Sequence, residues 1–250
     1  LCSAPMVKGF HYKKTLTDCF HAPLRHYNVD LIDTPHPLDG YRVVFSPFLT
    51  TIDENLQDRI EAWVRAGGTW IVGPMSGFLT EDTSKFADSP YPFVERMAGV
   101  WTKYQKPIGN DVWRAVWQDG SPLGISLCYD AYEPTDSTPL ATYQGDEFDG
   151  LAVLTERRLG AGRVILLGSL PDAAAIRRLT GLPPIAAASD NIDLTERSGA
   201  HRGLIAVETQ NKPGTLTLEG TYRDRITDRT LTGTVSVRPY EVLVLEANEI

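Results

Sequence analysis

The stretch from Tyr41 to Gly77, YRVVFSPFLTTIDENLQDRIEAWVRAGGTWIVGPMSG, constrains the fold more than any other part of the chain. It reads as an apolar run (Tyr41 to Phe45), an amphipathic helix, a Gly-Gly stop and a second apolar run (Thr69 to Val72). That order is the strand, crossover helix and strand of a βαβ unit. Thr51 followed by Glu54 has the spacing of a capping box, in which each side chain satisfies a backbone N–H at the open end of the helix. Ile52, Leu56, Ile60, Trp63 and Val64 share one face, while Glu54, Asp58, Glu61 and Arg65 point elsewhere. Gly67 and Gly68 stop the helix, because glycine takes a left-handed turn without steric cost. Burying a large apolar side chain contributes ~1.5–3 kcal/mol against ~1 kcal/mol for a cap, so this helix exists to cover a sheet. The apolar residues of both strands are consecutive, as expected when helices cover both faces of a parallel sheet.

Upstream, Leu16, Cys19, Phe20, Leu24 and Tyr27 fall at helical spacing, and Pro23 predicts a kink or a second short helix. Val29 to Ile32 reads as a short strand, and Asp33 to Gly40 as a loop. Downstream come a polar loop (Ser76 to Ser89), a short helix (Pro92 to Ala98) and irregular strands around Trp101, Tyr104, Trp113 and Trp117, broken by Pro107, Gly109 and Gly120. Leu140 to Tyr143 is a short strand. Leu151 to Arg157 and Arg163 to Leu167 flank Gly160-Ala161-Gly162 as a β-hairpin, and Pro171 to Leu182 is the last helix. Pro183-Pro184 and Ile185 to Ser189 form a linker. Beyond it, strands at Leu204 to Val207, Leu216 to Leu218, Thr234 to Val237 and Val242 to Leu245 predict a small antiparallel β domain. The expected architecture is α/β with a mostly parallel sheet over residues 1–187, followed by the β domain over 188–250.

The 250 residues carry a net charge of -8 and no Lys/Arg run longer than two, which argues against nucleic acid as a partner. No apolar run approaches the ~20 residues of a membrane span, and no signal segment opens the chain, so a cytoplasmic location away from membranes is expected. Cys2, Cys19 and Cys128 are too few and too scattered for a disulfide framework or a paired-cysteine zinc site, and are expected as buried free thiols. The start at Leu1 suggests a piece of a longer polypeptide.

Ligands of open α/β sheets sit at the carboxyl ends of the strands, which draws attention to Gly73-Pro74-Met75-Ser76-Gly77. A nucleophile elbow needs Ser or Cys at the middle position, where Met75 stands, and Ser76 is one place out of register. Gly160-Ala161-Gly162 lies in a hairpin with no helix behind it and reads as a turn, not a dinucleotide fingerprint. Asp146, Glu147 and Asp149 read as a solvated loop without EF-hand spacing. His11, His21, His26 and His36 form no ligand motif. Trp101, Tyr104, Trp113 and Trp117 fill a core, line an interface, or form a platform for sugars. No catalytic, cofactor-binding or metal-binding residue is assigned.

The runs VDLID, PLDGYRVVFSPFL, AWVRAGGTWIVGPMSGF, FVERMAGV, LATYQ and LTERRLGAGRVILLGSLPD occur in an order that resembles the C-terminal half of glycoside hydrolase family 42 β-galactosidases. The resemblance matches residues 10–182 to the family's trimerisation domain, and the tail with ITDRTLTGTVSVRPYEVLVLE to its small C-terminal β domain. It implies a three-layer, flavodoxin-like fold related to class I glutamine amidotransferases. It also implies a homotrimer, a parent enzyme acting on β-galactosides, and two catalytic glutamates on a (β/α)₈ barrel N-terminal to everything seen here. A barrel takes about 250 residues by itself, so none fits, and no residue here matches those glutamates. The expected role is non-catalytic association and architecture, without a cofactor. The alternatives are a freestanding carbohydrate-binding or regulatory module and a degenerate amidotransferase-like enzyme using one of the cysteines.

Overall fold

The crossover unit is present as expected, and the cap of its helix is not the expected one. In a computed structural model that describes residues 12–106, 113–199 and 201–247, the chain opens with α1 (Tyr12–Leu16). A π turn (Thr17–His21) and a 3-10 turn (Ala22–Leu24) that absorbs Pro23 follow it. Then come β1 (Val43–Ser46), α2 (Glu54–Arg65) and β2 (Thr69–Val72), with β1 and β2 paired parallel from Val43 opposite Thr69 to Ser46 opposite Val72. The cap is Asp53, whose Oδ1 accepts from the Leu56 N–H at 2.7 Å, while Thr51 is drawn into a bridge with Leu79. Asp53→Ala is therefore expected to cost about 1 kcal/mol in urea unfolding, and Thr51→Ala to leave the cap intact; an unchanged midpoint for the Asp53 variant would contradict this assignment.

The contacts divide the chain into two compact units: one holds the chain up to Cys19 and again Ile32–Thr180, the other holds Phe20–Leu31 and the chain from Gly181. In the first unit, α3 (Pro92–Ala98) leads into β3 (Val100–Lys106). β4 (Ala115–Trp117), β5 (Pro122–Leu123), β6 (Ile125–Ser126) and β7 (Tyr129–Pro134) follow. Next are β8 (Thr138–Tyr143), β9 (Ala152–Leu159), β10 (Gly162–Leu167), β11 (Leu170–Pro171) and α4 (Ala173–Thr180). The main sheet runs β1-β2-β10-β9-β8-β4-β5, with β7 joined to β9 and β3 outside β7.

The expectation of a mostly parallel sheet is corrected here. Only the β1–β2 and β2–β10 pairings are parallel; β9–β10, β8–β9, β4–β8, β4–β5, β7–β9 and β3–β7 are antiparallel. A parallel neighbour needs a crossover of a dozen or more residues, and α2 is the single long crossover helix among the described residues of this unit. From β8 to β10 the chain turns back through short connections, which impose antiparallel pairing.

The β9–β10 hairpin, legible from its glycines, docks on the end of α2. The Ala161 N–H donates to Arg65 O at 2.9 Å, and a Cβ on Gly162 would lie 2.1 Å from Val64 O and 2.2 Å from Gly68 O. Only glycine lets the backbones approach this closely. The sheet is buried on both faces. Trp70, Val72, Val164 and Leu166 pack with Leu56, Ile60 and Val64 of α2 and Val94 and Met97 of α3, whereas Ile71, Ile165 and Leu167 pack with Ala175 and Leu179 of α4. Neighbouring positions of β2 and β10 thus feed opposite cores, which is why their apolar residues run consecutively.

The second unit is an antiparallel sheet of β12 (Ala187–Ala188), β13 (Ile192–Arg197), β14 (Gly203–Glu208), β15 (Gly214–Asp224), β16 (Thr230–Val237) and β17 (Val242–Ala247). Its order is β12-β15-β17-β14-β13, with β16 on β15. Ile192 with Leu194, Leu204 with Ala206, Leu216 with Leu218 and Leu243 with Leu245 build its core at strand period two. Val29 to Ile32, expected as a strand, is assigned to no strand. Its upstream neighbours are held by other bonds: Arg25 O accepts from Leu194 N–H at 2.8 Å, His26 O from Ile185 N–H at 2.8 Å, and Asn28 Oδ1 from Glu196 N–H at 3.0 Å. Glu208 is buried in this unit. Burial alone would raise its carboxyl, but the N–H groups of Tyr240 and Gln210 and the Asn191 amide outweigh that and hold it down at about 2. No described helix is long and apolar enough to cross a membrane.

Candidate functional site

Parallel strands β1, β2 and β10 end together, and the turn after β2 is built as a rigid corner. Gly73 N–H donates to Ser46 O at 3.1 Å, Phe48 N–H to Pro74 O at 3.1 Å, and Gly77 N–H to Leu49 O at 2.8 Å. Met75 sits in the left-handed region at φ 59°, a conformation rare for a side chain of this type and characteristic of constrained corners. The backbone strain of an elbow is there, with a thioether at its tip instead of a nucleophilic oxygen or thiol. Ser76 supplies none either: it is buried, its hydroxyl donates to Ser46 O at 2.6 Å, and its oxygen accepts from Leu49 N–H at 3.1 Å. Trp70 Nε1–H donates to Ser46 Oγ at 2.9 Å and completes a polar staple inside the core.

Sequence reasoning missed a buried polar cluster around Asp130 of β7. The Tyr91 hydroxyl donates to Asp130 Oδ2 at 2.7 Å, Tyr132 adds a second side-chain hydrogen bond, and the Tyr143 hydroxyl donates to Asp130 O at 3.0 Å. Asp130 is 5% exposed. Burial pushes its carboxyl up, the two tyrosine hydroxyls partly offset this, and the result is about 7. Burial likewise raises Tyr91, Tyr132 and Tyr143, and the thiol of Cys128. The signal in the sequence was an acidic residue inside the apolar strand run CYDAY.

The other candidates disperse. Cys128 is a buried free thiol held protonated, a poor nucleophile; Cys2 and His11 lie outside the described residues, as do Pro107 and Gly109. His21 and His36 are exposed, and a ring nitrogen of His26 lies 3.3 Å from Ser189 O. Glu147 pairs with Lys106 at 3.2 Å, and Asp149 accepts from Gly145 N–H at 2.7 Å. Among the described residues no group of His, Cys, Asp or Glu could hold a metal ion. Of the four aromatics, Trp113 and Trp117 are core residues, while Trp101 is 68% and Tyr104 46% exposed.

Residues 2–183 match the family model for the β-galactosidase trimerisation domain, and residues 210–247 that for the β-galactosidase C-terminal domain. Among curated proteins, β-galactosidase YesZ of Bacillus subtilis is 30% identical over 96% of this chain and 38% of its own length. YesZ of Bacillus licheniformis is 27% identical over 97% of this chain and 39% of its own length. Among solved structures, a β-galactosidase from Bacillus circulans sp. alkalophilus aligns with TM-score 0.87 at 20% identity, covering 98% of this chain and 39% of that one. The chain thus spans about two fifths of the length of these relatives. It belongs to the glycoside hydrolase family 42 β-galactosidases and comprises their non-catalytic trimerisation and C-terminal domains.

Proposed function

We propose that this chain provides the association region of a β-galactosidase that forms a homotrimer, and that its catalytic partner is a barrel outside the chain. Residues 1–187 serve as the trimerisation-type α/β domain, with a layered plan akin to the flavodoxin-like class I amidotransferases, and residues 188–250 as the C-terminal β domain. The parent reaction is retaining hydrolysis of β-galactosides by two carboxylates, neither contributed from here. The observation that carries this reading is the corner at Met75. The position from which an amidotransferase-like sheet would present a nucleophile holds a thioether, and Ser76 beside it is buried and doubly hydrogen-bonded. No catalytic, cofactor or metal role is proposed for any residue, and nucleic acid and membranes are not partners in this reading. A cytoplasmic setting belongs to it too, supported by the free thiol of Cys128.

The purified chain should leave a nitrophenyl β-galactoside uncleaved above background and should scatter light with the mass of a trimer. Robust turnover would overturn the non-catalytic assignment.

A further inference from the structure

We infer that the bulged edge strand β3 presents Trp101 and Tyr104 as the anchor by which one copy of this chain docks on another. The inference rests on the trimerisation reading above. Among the described residues β3 has β7 as its one strand partner, and on its other edge the Thr102 N–H donates to Glu95 Oε1 of α3 at 2.9 Å. The register sets Trp101 opposite Glu133, Thr102 opposite Tyr132 and Tyr104 opposite Ala131, with Lys103 as the extra residue of a bulge. Residues directly opposite each other share a face, and Glu133 and Ala131 lie two apart on β7. The bulge therefore brings Trp101 and Tyr104 to the same face, where regular alternation would have separated them.

Among the described residues of the first unit, these two are the exposed large apolar side chains. Tyr104 is held rigidly: its ring stacks on Phe148 at 5.1 Å, and Phe148 stacks on Trp113 at 4.4 Å. A ring already fixed by stacking loses little freedom on docking. Around the two rings stand the pairs Lys103–Glu133 at 2.7 Å and Lys106–Glu147 at 3.2 Å, a polar rim of both signs. An aromatic centre inside a polar rim is the anatomy of an association hot spot. The bulge and Lys103 also break the edge that another strand would need, so side chains and not a continued ladder make the contact.

The occupant is a second copy, because the family model that spans this unit is a trimerisation domain. A ring of three closes only through heterologous contacts, so the ridge of one copy meets a different surface of the next, and ridge on ridge would give a dimer.

The test is light scattering of the whole chain over a dilution series, with circular dichroism and melting as fold controls. Trp101→Ala combined with Tyr104→Ala should give monomers where the parent chain is trimeric, each substitution weakening the contact by about thirtyfold, with the fold controls unchanged. Trp101→Phe with Tyr104→Phe should largely restore the trimer. A trimer unaffected by the alanine pair overturns the ridge and leaves the trimerisation reading standing. A parent chain that is monomeric throughout overturns both, and a dimer abolished by the alanines overturns the heterologous ring. Saturable quenching of tryptophan emission by galactose, lost in Trp101→Ala while the trimer persists, makes the ridge a sugar platform and overturns the inference.

Discussion

Asp130→Asn is expected to make the protein more stable than its parent at pH 8, and by a much smaller margin at pH 5. The carboxyl is raised from 3.8 to about 7 in the folded protein, mainly by burial. Between those values the native state holds a proton that the unfolded chain has released, so stability is full below pH ~4 and falls as the pH climbs to about 7. At about 1.4 kcal/mol per pH unit the loss is on the order of 4 kcal/mol, and it is complete at pH 8. Asparagine keeps an acceptor for the Tyr91 hydroxyl and never ionises. Urea unfolding at both pH values isolates the effect, since every other titrating group is common to the two proteins. A difference between variant and parent that stays constant from pH 5 to pH 8 would refute the account.

Trp70→Ala is expected to be the most damaging single truncation in the α/β unit, costing about 3–5 kcal/mol at any pH. Its ring is fully buried between β2 and the α2/α3 layer, 5.8 Å from the Phe93 ring, and its indole N–H is a partner of Ser46 Oγ. The substitution opens a cavity and removes a hydrogen bond from a buried hydroxyl, two penalties that add. Trp70→Phe should recover much of the packing and none of the bond. Trp101→Ala, an exposed tryptophan on β3, should by contrast stay within about 0.5 kcal/mol of the parent in a monomer. Chemical denaturation ranks the three, and an equal cost for Trp70 and Trp101 would show that burial had been misassigned.

What could be read from the residues was what depends on near neighbours. The face of α2, its glycine stop, the β9–β10 hairpin and the strands after Gly203 all follow from spacing within a dozen residues. Spacing pointed to Thr51 with Glu54 as the cap, but Thr51 forms a bridge with Leu79, far along the chain, and Asp53 caps the helix instead. Val29 to Ile32 has strand composition but joins neither sheet. Strand direction was misjudged for the same reason: pattern reports burial, and the apolar run of β10 reads alike whether its neighbours are parallel or antiparallel. The corner at Met75 was recognisable as lacking a nucleophile, although its left-handed backbone was not. Asp130 stayed hidden because two of its tyrosine partners, Tyr91 and Tyr143, come from outside β7.

The junction of β2 with β10 has a consequence for how the chain reaches this state. It joins side chains 94 residues apart, Thr69 and Arg163 among them. Closing so long a loop must precede any reward from the pairing, whereas the β9–β10 and β3–β7 ladders need far shorter closures. Loop-closure entropy therefore favours early assembly of the antiparallel part and late closure of the β2–β10 junction. Until then the edge of β2 that β10 will take is unpaired, and the face that feeds the α4 core is uncovered. On a ribosome β1, α2 and β2 emerge well before the strand that will complete their sheet, which makes this interval the one in which aggregation competes with folding.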